Sequence, residues 1–226
     1  GSAEVHSHRL VLAMAKAAEK FGASIKHGTV TDIIRNGDKI TGIQLNDGNI
    51  ECDGIVLAMG PWTNLISKRI QYPVDIRPLK GQIIRAIVPG APLPISVWSN
   101  GNYAATKPDG LLWAGTTEEE VGFDETITNE ARGKITKDVL KMMPDIGEIQ
   151  IIQQTACLRP ITQDKLIVLG KMPSSDNAYI ATGGGRNGIL LGPAMGRTIA
   201  ELVTSGTSKM DIKDFNPGRF TNQHIN

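Results

Sequence analysis

The sequence is poor in aromatic residues and cysteine, and its charges nearly cancel. Aromatic residues make up 4% of the 226 positions, which argues against a stacking surface for single-stranded nucleic acid. Cys52 and Cys157 lie far apart and match neither a disulfide framework nor a zinc-binding pattern, so no metal site is expected. Twenty-four basic and 23 acidic residues leave a net charge of +1, and we expect no nucleic acid partner.

Long apolar runs are also absent. No stretch approaches the roughly 20 apolar residues of a membrane span, and no signal peptide is recognisable, so a cytoplasmic location is expected. The hydrophobic content of 40% and the charged content of 21% are ordinary for a globular protein. The length is sufficient for one large domain or two small ones with a real core.

The first third of the sequence predicts a helix, a β-meander, a buried strand and a short helix. Apolar residues at helical spacing around Met14 form the first helix, which Gly22 ends. Asn36-Gly37 and Asp47-Gly48 are typical hairpin turns between strands. The predicted strands are 23–26, 29–35, 40–45 and 54–59, and the second helix covers 62–70.

The remaining sequence predicts an α+β fold. A long strand over 73–88 and two strands around the turn Pro108-Asp109-Gly110 suggest an antiparallel sheet, and Thr128 is placed to cap a helix. Later strands alternate with one long apolar helix. The predicted elements are strands 103–106, 111–115, 149–158, 166–169 and 178–182, and helices 128–143 and 187–203.

Gly183, Gly185 and Gly188 match the pattern G-x-G-x-x-G between a strand and a helix. A dinucleotide-binding fingerprint also needs a following parallel strand with an acidic residue, and only a polar tail follows here. The glycines then serve either close packing of strand and helix or a helix N-terminus. Such an N-terminus suits an electron-rich oxygen or a developing anion on a cofactor ring.

The segment ATGGGRNGILLGPAMGRTIAELV, residues 181–203, resembles the last strand and helix of the D-amino-acid-oxidase superfamily of flavoproteins, and glycine oxidases in particular. Four further segments fit the family in the same order, so the resemblance covers essentially the whole chain. They are EVHSHRLVLAMAKAAEKFGASI, DGIVLAMGPWTNLI, RPLKGQII and ACLRPITQDKLIVLG.

The resemblance implies a mixed α/β fold, with a partial FAD-binding domain and an antiparallel-sheet substrate domain. Residues 3–71 and 157–226 would belong to the FAD-binding domain and residues 72–156 to the substrate domain. The family's N-terminal Gly-rich βαβ unit, which holds the FAD pyrophosphate, has no counterpart in the sequence. We therefore expect an N-terminally truncated fragment that binds FAD weakly and is inactive alone, because phosphate contacts normally anchor a dinucleotide.

Three side chains correspond to substrate-binding positions of the family. The resemblance implies that Arg159 pairs with the substrate carboxylate, which a planar guanidinium binds with two hydrogen bonds, and that Tyr103 helps to hold it. Arg186 would face the substrate and the flavin. The alternatives are a surface ion pair for Arg159, an ordinary core tyrosine and a solvated turn arginine. No acid or base catalyst is assigned.

The residues that the resemblance places around the flavin fall in three segments. Backbone N–H groups after the last strand would meet the flavin pyrimidine oxygen, the turn after an earlier strand would border the ring, and one backbone position would touch the adenine. The predicted cofactor-binding residues are Val30, Ala58, Gly60, Trp62, Gly184, Gly185, Asn187, Gly188, Ile189 and Leu190.

FAD is expected to be bound without a covalent link. Some relatives join the flavin to a cysteine at the position of Cys157, but the residues that follow it here resemble glycine oxidase, and Cys157 is expected to be a small buried residue. Glu118 stands where some glycine oxidases have an apolar residue near the substrate, and we expect it to be a solvated loop charge.

The implied reaction is oxidation of a small amine or amino acid by hydride transfer to flavin, with O₂ or a quinone as the electron acceptor. Glycine, sarcosine and D-amino acids are the candidate substrates. A hydroxy-acid dehydrogenase of the same superfamily and a flavin-free binding module remain alternatives. Surfaces that a missing segment would cover favour self-association into a homo-oligomer.

Overall fold

The computed structural model describes residues 5–223, and the side chains of all of these except 67–68 and 221–223. Contacts between residues divide the chain into two compact units. One unit contains the residues up to Ile25 and Lys80–Leu158, and the other contains Lys26–Leu79 and the residues from Arg159 onward. Each unit is made of two separate stretches of sequence. The assignment of 3–71, 72–156 and 157–226 to named domains stays a prediction.

Helices, strands and short 3₁₀ turns alternate along the chain. The helices are α1 (Ser7–Lys20), α2 (Ser67–Ile70), α3 (Asn129–Met142) and α4 (Gly188–Ser205). The strands are β1 (Val30–Asn36), β2 (Lys39–Leu45), β3 (Gly48–Glu51), β4 (Ile55–Leu57), β5 (Arg77–Ile87), β6 (Val97–Ser99), β7 (Asn102–Thr106), β8 (Leu112–Gly115), β9 (Gln150–Ile161), β10 (Val168–Lys171) and β11 (Ala178–Thr182).

The first unit is built on a five-stranded sheet with the order β6-β7-β8-β5-β9. The pairs β6–β7, β7–β8 and β8–β5 are antiparallel, as the sequence predicted for this region. Helix α3 covers one face, because Ile135 and Val139 pack against Ile84, Ala104 and Ala114 in a buried apolar cluster. The predicted cap of α3 is confirmed, since Thr128 Oγ1 accepts a hydrogen bond from Ala131 N.

The second unit contains two three-stranded sheets. Strands β1, β2 and β3 form a meander, in which β1 and β2 match the predicted strands 29–35 and 40–45, and the other sheet has the order β10-β11-β4. Strand β11 is parallel to β4 and antiparallel to β10. The core of this unit includes Ile40, Ile70, Ile76, Val168 and Ile180, all of them almost completely buried.

One asparagine side chain joins the two sheets of the second unit. Asn177 Oδ1 accepts from Ile40 N at 2.8 Å, and its Nδ2 donates to Ile40 O at 2.7 Å. The same Nδ2 donates to Asp53 O at 2.6 Å. The Asn177 amide thus forms hydrogen bonds with backbone groups of β2 and of the segment before β4, groups that would otherwise pair with a neighbouring strand.

Several predicted elements need correction. Residues 23–26 form no strand, because the chain after α1 lacks a pairing partner until Val30. The predicted strand 54–59 is shorter, and it is not fully buried because the Val56 side chain is 46% exposed. Strands β3 and β6 were not predicted. Within residues 5–223, no helix is long and apolar enough to cross a membrane.

Candidate functional site

Two parallel strands of the second unit end at the same edge and lead into glycine-containing turns. In the register of β4 and β11, Leu57 lies opposite Ile180, so the turns that follow both strands are neighbours. Gly60 in the first turn has a φ of 54° and Gly183 in the second a φ of 78°, values that L side chains rarely adopt. In open α/β sheets, ligands bind at the carboxyl ends of the strands.

Two buried threonine hydroxyls tie these turns together. Thr63 Oγ1 donates to Gly60 O at 2.6 Å and lies 3.4 Å from Thr182 Oγ1. Thr182 Oγ1 also lies 3.3 Å from Gly60 O, within hydrogen-bonding distance. The sequence analysis did not single out either threonine. Thr182 directly precedes Gly183, and Thr63 follows Gly60 by three positions. Their closeness to these glycines is the sequence feature that could have identified them.

The start of α4 packs directly against the turn after β11. A Cβ atom added at Gly184 would lie 2.7 Å from Gly188 Cα, a distance that real Cβ atoms essentially never show. Asn187 N donates to Gly184 O at 2.8 Å and closes this turn. A glycine at position 184, which lies between two glycines of the motif, is therefore required for this close approach.

The same turn leaves the N-terminus of α4 accessible. The Asn187 side chain makes no capping hydrogen bond, and the N–H groups of the first helical turn have no acceptor within the helix. Gly188 is half-buried, Arg186, Asn187 and Ile189 are exposed, and the Leu190 side chain is 78% exposed. These N–H donors and the positive end of the helix dipole fit an electron-rich ring oxygen such as that of a flavin.

An apolar cleft of about 730 Å³ lies in the same unit. Val30 of β1 and all three residues of β4 line it, and so does Met59, which follows β4. Arg69 is the charged residue in its lining. Ala58 and Trp62 are exposed and lie outside this lining. The structure therefore brings Val30 to the strand whose end carries the glycine turn.

The three predicted substrate-binding residues are distributed over both units. Arg159 is half-buried near the end of β9 and belongs to the second unit, as does the exposed Arg186. Tyr103 is half-buried on β7 of the first unit, where its ring lies 5.3 Å from that of Trp98. The roles of all three in substrate binding stay predictions.

Two of the side chains weighed above have clear environments. Cys157 is exposed on β9, so the expectation that it is a small buried residue is wrong. Its alternating position on a strand of mostly half-buried residues places it toward solvent. Glu118 is exposed, as expected.

The lysine of the segment RPLKGQII serves the fold of the first unit. Lys80 is 1% exposed, and its Nζ lies 2.8 Å from Asp124 Oδ2 and 3.5 Å from Glu119 Oε2. The hydrogen bond to Asp124 raises the pKa of Lys80 and lowers the pKa of Asp124 to about 2. Because both carboxylates follow β8, the ion pair fastens that segment to β5.

The segment T-x-D after β9 is also structural. Thr162 Oγ1 donates to Leu166 O at 2.8 Å, and Asp164 Oδ2 accepts from Arg219 Nε at 2.7 Å. Partial burial raises the pKa of Asp164, but hydrogen bonds from Arg219 and Leu166 N, with the positive charge of Arg219, outweigh it and lower that pKa to about 2. This ion pair holds the C-terminal segment against the turn between β9 and β10.

The lowered pKa of Asp164 makes acid stability a test of this contact. A carboxyl group with a folded-state pKa of about 2 stabilises the fold above its ordinary pKa of 3.8 and loses that contribution as the pH falls from there toward 2. We expect Asp164→Asn to lower the free energy of unfolding at neutral pH, with a difference from wild type that shrinks across this window. Urea denaturation at several pH values measures it. Asp47→Asn, at an exposed turn position, should show no such convergence.

Comparison with known proteins identifies the relatives of the chain. The family model described as FAD dependent oxidoreductase, DAO, matches residues 1–202. Glycine oxidase of Pseudomonas aeruginosa is 30% identical over 220 residues, which cover 96% of this chain and 60% of that protein. Glycine oxidase of Pseudomonas putida is 27% identical over 219 residues, with 96% and 60% covered. The chain thus spans about 60% of the length of these curated relatives.

Solved structures agree with this relationship. Glycine oxidase from Geobacillus kaustophilus superimposes with a TM-score of 0.85 at 27% identity, covering 92% of this chain and 56% of that one. L-proline dehydrogenase from P. horikoshii gives a TM-score of 0.86 at 25% identity, with 95% and 60% covered. The mixed α/β fold with antiparallel sheets expected from the sequence is confirmed.

Proposed function

Because the chain belongs to the DAO family of FAD-dependent oxidoreductases, we propose that it supplies the flavin-ring and carboxylate contacts of an enzyme that oxidises a small amine or amino acid. Glycine, sarcosine and D-amino acids are the proposed substrate types. The observation that carries the proposal is the pair of glycine turns after β4 and β11, with the accessible N-terminus of α4 beside them. Two relatives with glycine oxidase activity in their names support the substrate class.

The first turn of α4 is proposed to contact the flavin. The N–H groups of Gly188, Ile189 and Leu190 would donate to the pyrimidine oxygen, where negative charge gathers when the ring is reduced. Gly184 and Gly185 would keep the backbone close to the ring, and Ala58, Gly60 and Trp62 would border it. Val30 would meet the adenine with its backbone. When bound, FAD supplies the hydride acceptor for the reaction.

The substrate contacts are proposed residue by residue. Arg159 would pair with the substrate carboxylate through its planar guanidinium. Tyr103 and Arg186 are each proposed as a substrate-binding residue, Tyr103 through its hydroxyl and Arg186 through its positive charge. Binding of the carboxylate orients the α carbon, from which a hydride leaves, so that the free amine becomes an iminium ion. Hydrolysis of the iminium ion then releases a carbonyl compound together with ammonia, or with methylamine when the substrate is sarcosine. No side chain needs to act as an acid or base.

Release of ammonia tests the proposed reaction. The protein that carries this sequence, supplied with FAD and with O₂ or a quinone as acceptor, should release ammonia from glycine or a D-amino acid, or methylamine from sarcosine, in equal amount to the carbonyl product. Arg159→Lys should raise KM for the substrate by about tenfold or more, because the lysine ammonium cannot form the two parallel hydrogen bonds that a guanidinium makes with a carboxylate. Oxidation of hydroxy acids without ammonia would contradict the amine assignment. A cytoplasmic location and a homo-oligomer remain part of this proposal.

A further inference from the structure

A tight hairpin of the first unit fixes the position of an exposed tryptophan. Strands β6 and β7 are joined by Asn100 and Gly101 alone, with φ angles of 47° and 78°. Two central residues with positive φ make a type I′ turn, which matches the twist of the paired strands. In the resulting register, Trp98 lies directly opposite Tyr103. The two-residue turn therefore fixes Trp98 as the cross-strand neighbour of Tyr103.

Both aromatic rings lie on the sheet face opposite to α3. Asn102 Nδ2 donates to Asp138 Oδ2 of α3 at 3.1 Å, and Ala104 packs in the cluster with α3, so these residues point toward the helix. Tyr103 lies between them and points the other way, because side chains alternate along a strand. Its directly opposite partner Trp98 shares that face, with ring centroids 5.3 Å apart and planes inclined by 31°.

The Trp98 ring combines a fixed position with unusual exposure. Its side chain is 62% exposed, although it is held by a cross-strand pair and touches a half-buried tyrosine. An exposed indole beside a tyrosine ring presents a flat apolar surface next to a side chain that carries a polar hydroxyl group. Such a pair matches a molecule with a polar group for the tyrosine and an apolar group for the tryptophan.

We propose that Trp98 is a specificity-determining residue, which selects carboxylate ligands whose substituent is apolar or aromatic. This inference rests on the proposed function, in which Tyr103 binds the substrate through its hydroxyl. Stacking of the substituent on the indole removes apolar surface of both partners from water. Compact substrates such as glycine would leave the indole uncovered, so Trp98 would favour substrates with larger side chains or N-substituents over glycine.

Binding of two simple carboxylates to the protein tests the inference without relying on turnover. Benzoate and acetate share the carboxylate and differ in the ring, so their affinities are compared by NMR titration of the tryptophan indole N–H signals. We expect benzoate to bind about tenfold more tightly than acetate, a gain typical of one stacked ring. Trp98→Ala should abolish that ratio while leaving the affinity for acetate unchanged, and Trp98→Phe should restore most of it.

One control variant and the comparison with amine oxidation separate this inference from the proposed function. Ile95→Ala, at an exposed apolar position just before β6, should leave the benzoate ratio unchanged. If the ratio depends on Trp98 but no amine is oxidised, the specificity inference holds and the proposed reaction fails. If amines are oxidised and Trp98→Ala retains the ratio, the inference is overturned. Equal affinity of the wild type for benzoate and acetate, or no binding of benzoate, would also overturn it.

Discussion

Replacing Asn177 with alanine should cost about 2–3 kcal/mol of folding free energy, because three hydrogen bonds to backbone groups are lost at once. The affected groups are Ile40 N, Ile40 O and Asp53 O, at distances of 2.6–2.8 Å. Ile40 is completely buried, so water does not readily replace the amide at its N–H and C=O. The loss therefore exceeds that of one surface hydrogen bond.

Chemical denaturation measures this effect, with a matched control. Asn46→Ala removes the same amide from an exposed position between β2 and β3, and should change the free energy of unfolding by less than about 0.5 kcal/mol. Asn177→Asp should also destabilise the protein, because a carboxylate cannot donate to Ile40 O and Asp53 O. Equal stability of Asn177→Ala and Asn46→Ala would show that the Asn177 amide does not hold the two sheets together.

Gly184→Ala should be destabilising by about 1–3 kcal/mol and should weaken flavin binding, since the new methyl group needs space that backbone occupies. Its Cβ would lie 2.7 Å from Gly188 Cα and 3.3 Å from Gly188 N. Relief of this contact requires α4 to move away from the turn, which displaces the N–H groups proposed to meet the flavin. The backbone of Gly184 itself, with a φ of −66°, accepts alanine.

Gly196→Ala is the matched control for this variant. Position 196 lies inside α4, and an added Cβ would meet nothing within 4 Å. The substitution should stabilise the helix by about 0.5–1 kcal/mol, because alanine loses less backbone entropy than glycine. Opposite signs for the two variants in thermal or chemical denaturation are expected. Equal effects of both on stability and flavin affinity would contradict the packing role assigned to Gly184.

The elements that the sequence predicts best are those with strong local signals. Strand β11 matches its predicted span 178–182, because a short and mostly apolar run ends there at three consecutive glycines. The turns Asn36-Gly37 and Asp47-Gly48 correctly predicted the meander. Asn100-Gly101 is the same kind of signal and would have revealed β6, but the short segment Val97–Ser99 lacks a clear alternating pattern.

Tertiary contacts account for what the sequence could not predict. The burial of Lys80 depends on carboxylates about 40 positions further along the chain, which no local pattern connects with it. The junction at Asn177 likewise joins residues more than 100 positions apart. The glycines at 183, 185 and 188 could be recognised as a motif in the sequence. The close contact of Gly184 with Gly188, which requires a glycine at 184, could be seen only in the structure.

The first turn of α4 is proposed to contact the flavin ring, and an NMR titration tests this contact most directly. Amide signals of the protein are followed while FAD is added, a method that also detects weak binding. We expect the amide signals of Gly185, Gly188 and Ile189 to shift together as FAD is added. These shifts should be strongly reduced in Gly184→Ala and retained in Gly196→Ala. Shifts confined to other parts of the chain, or no shifts with FAD in large excess, would contradict the claim.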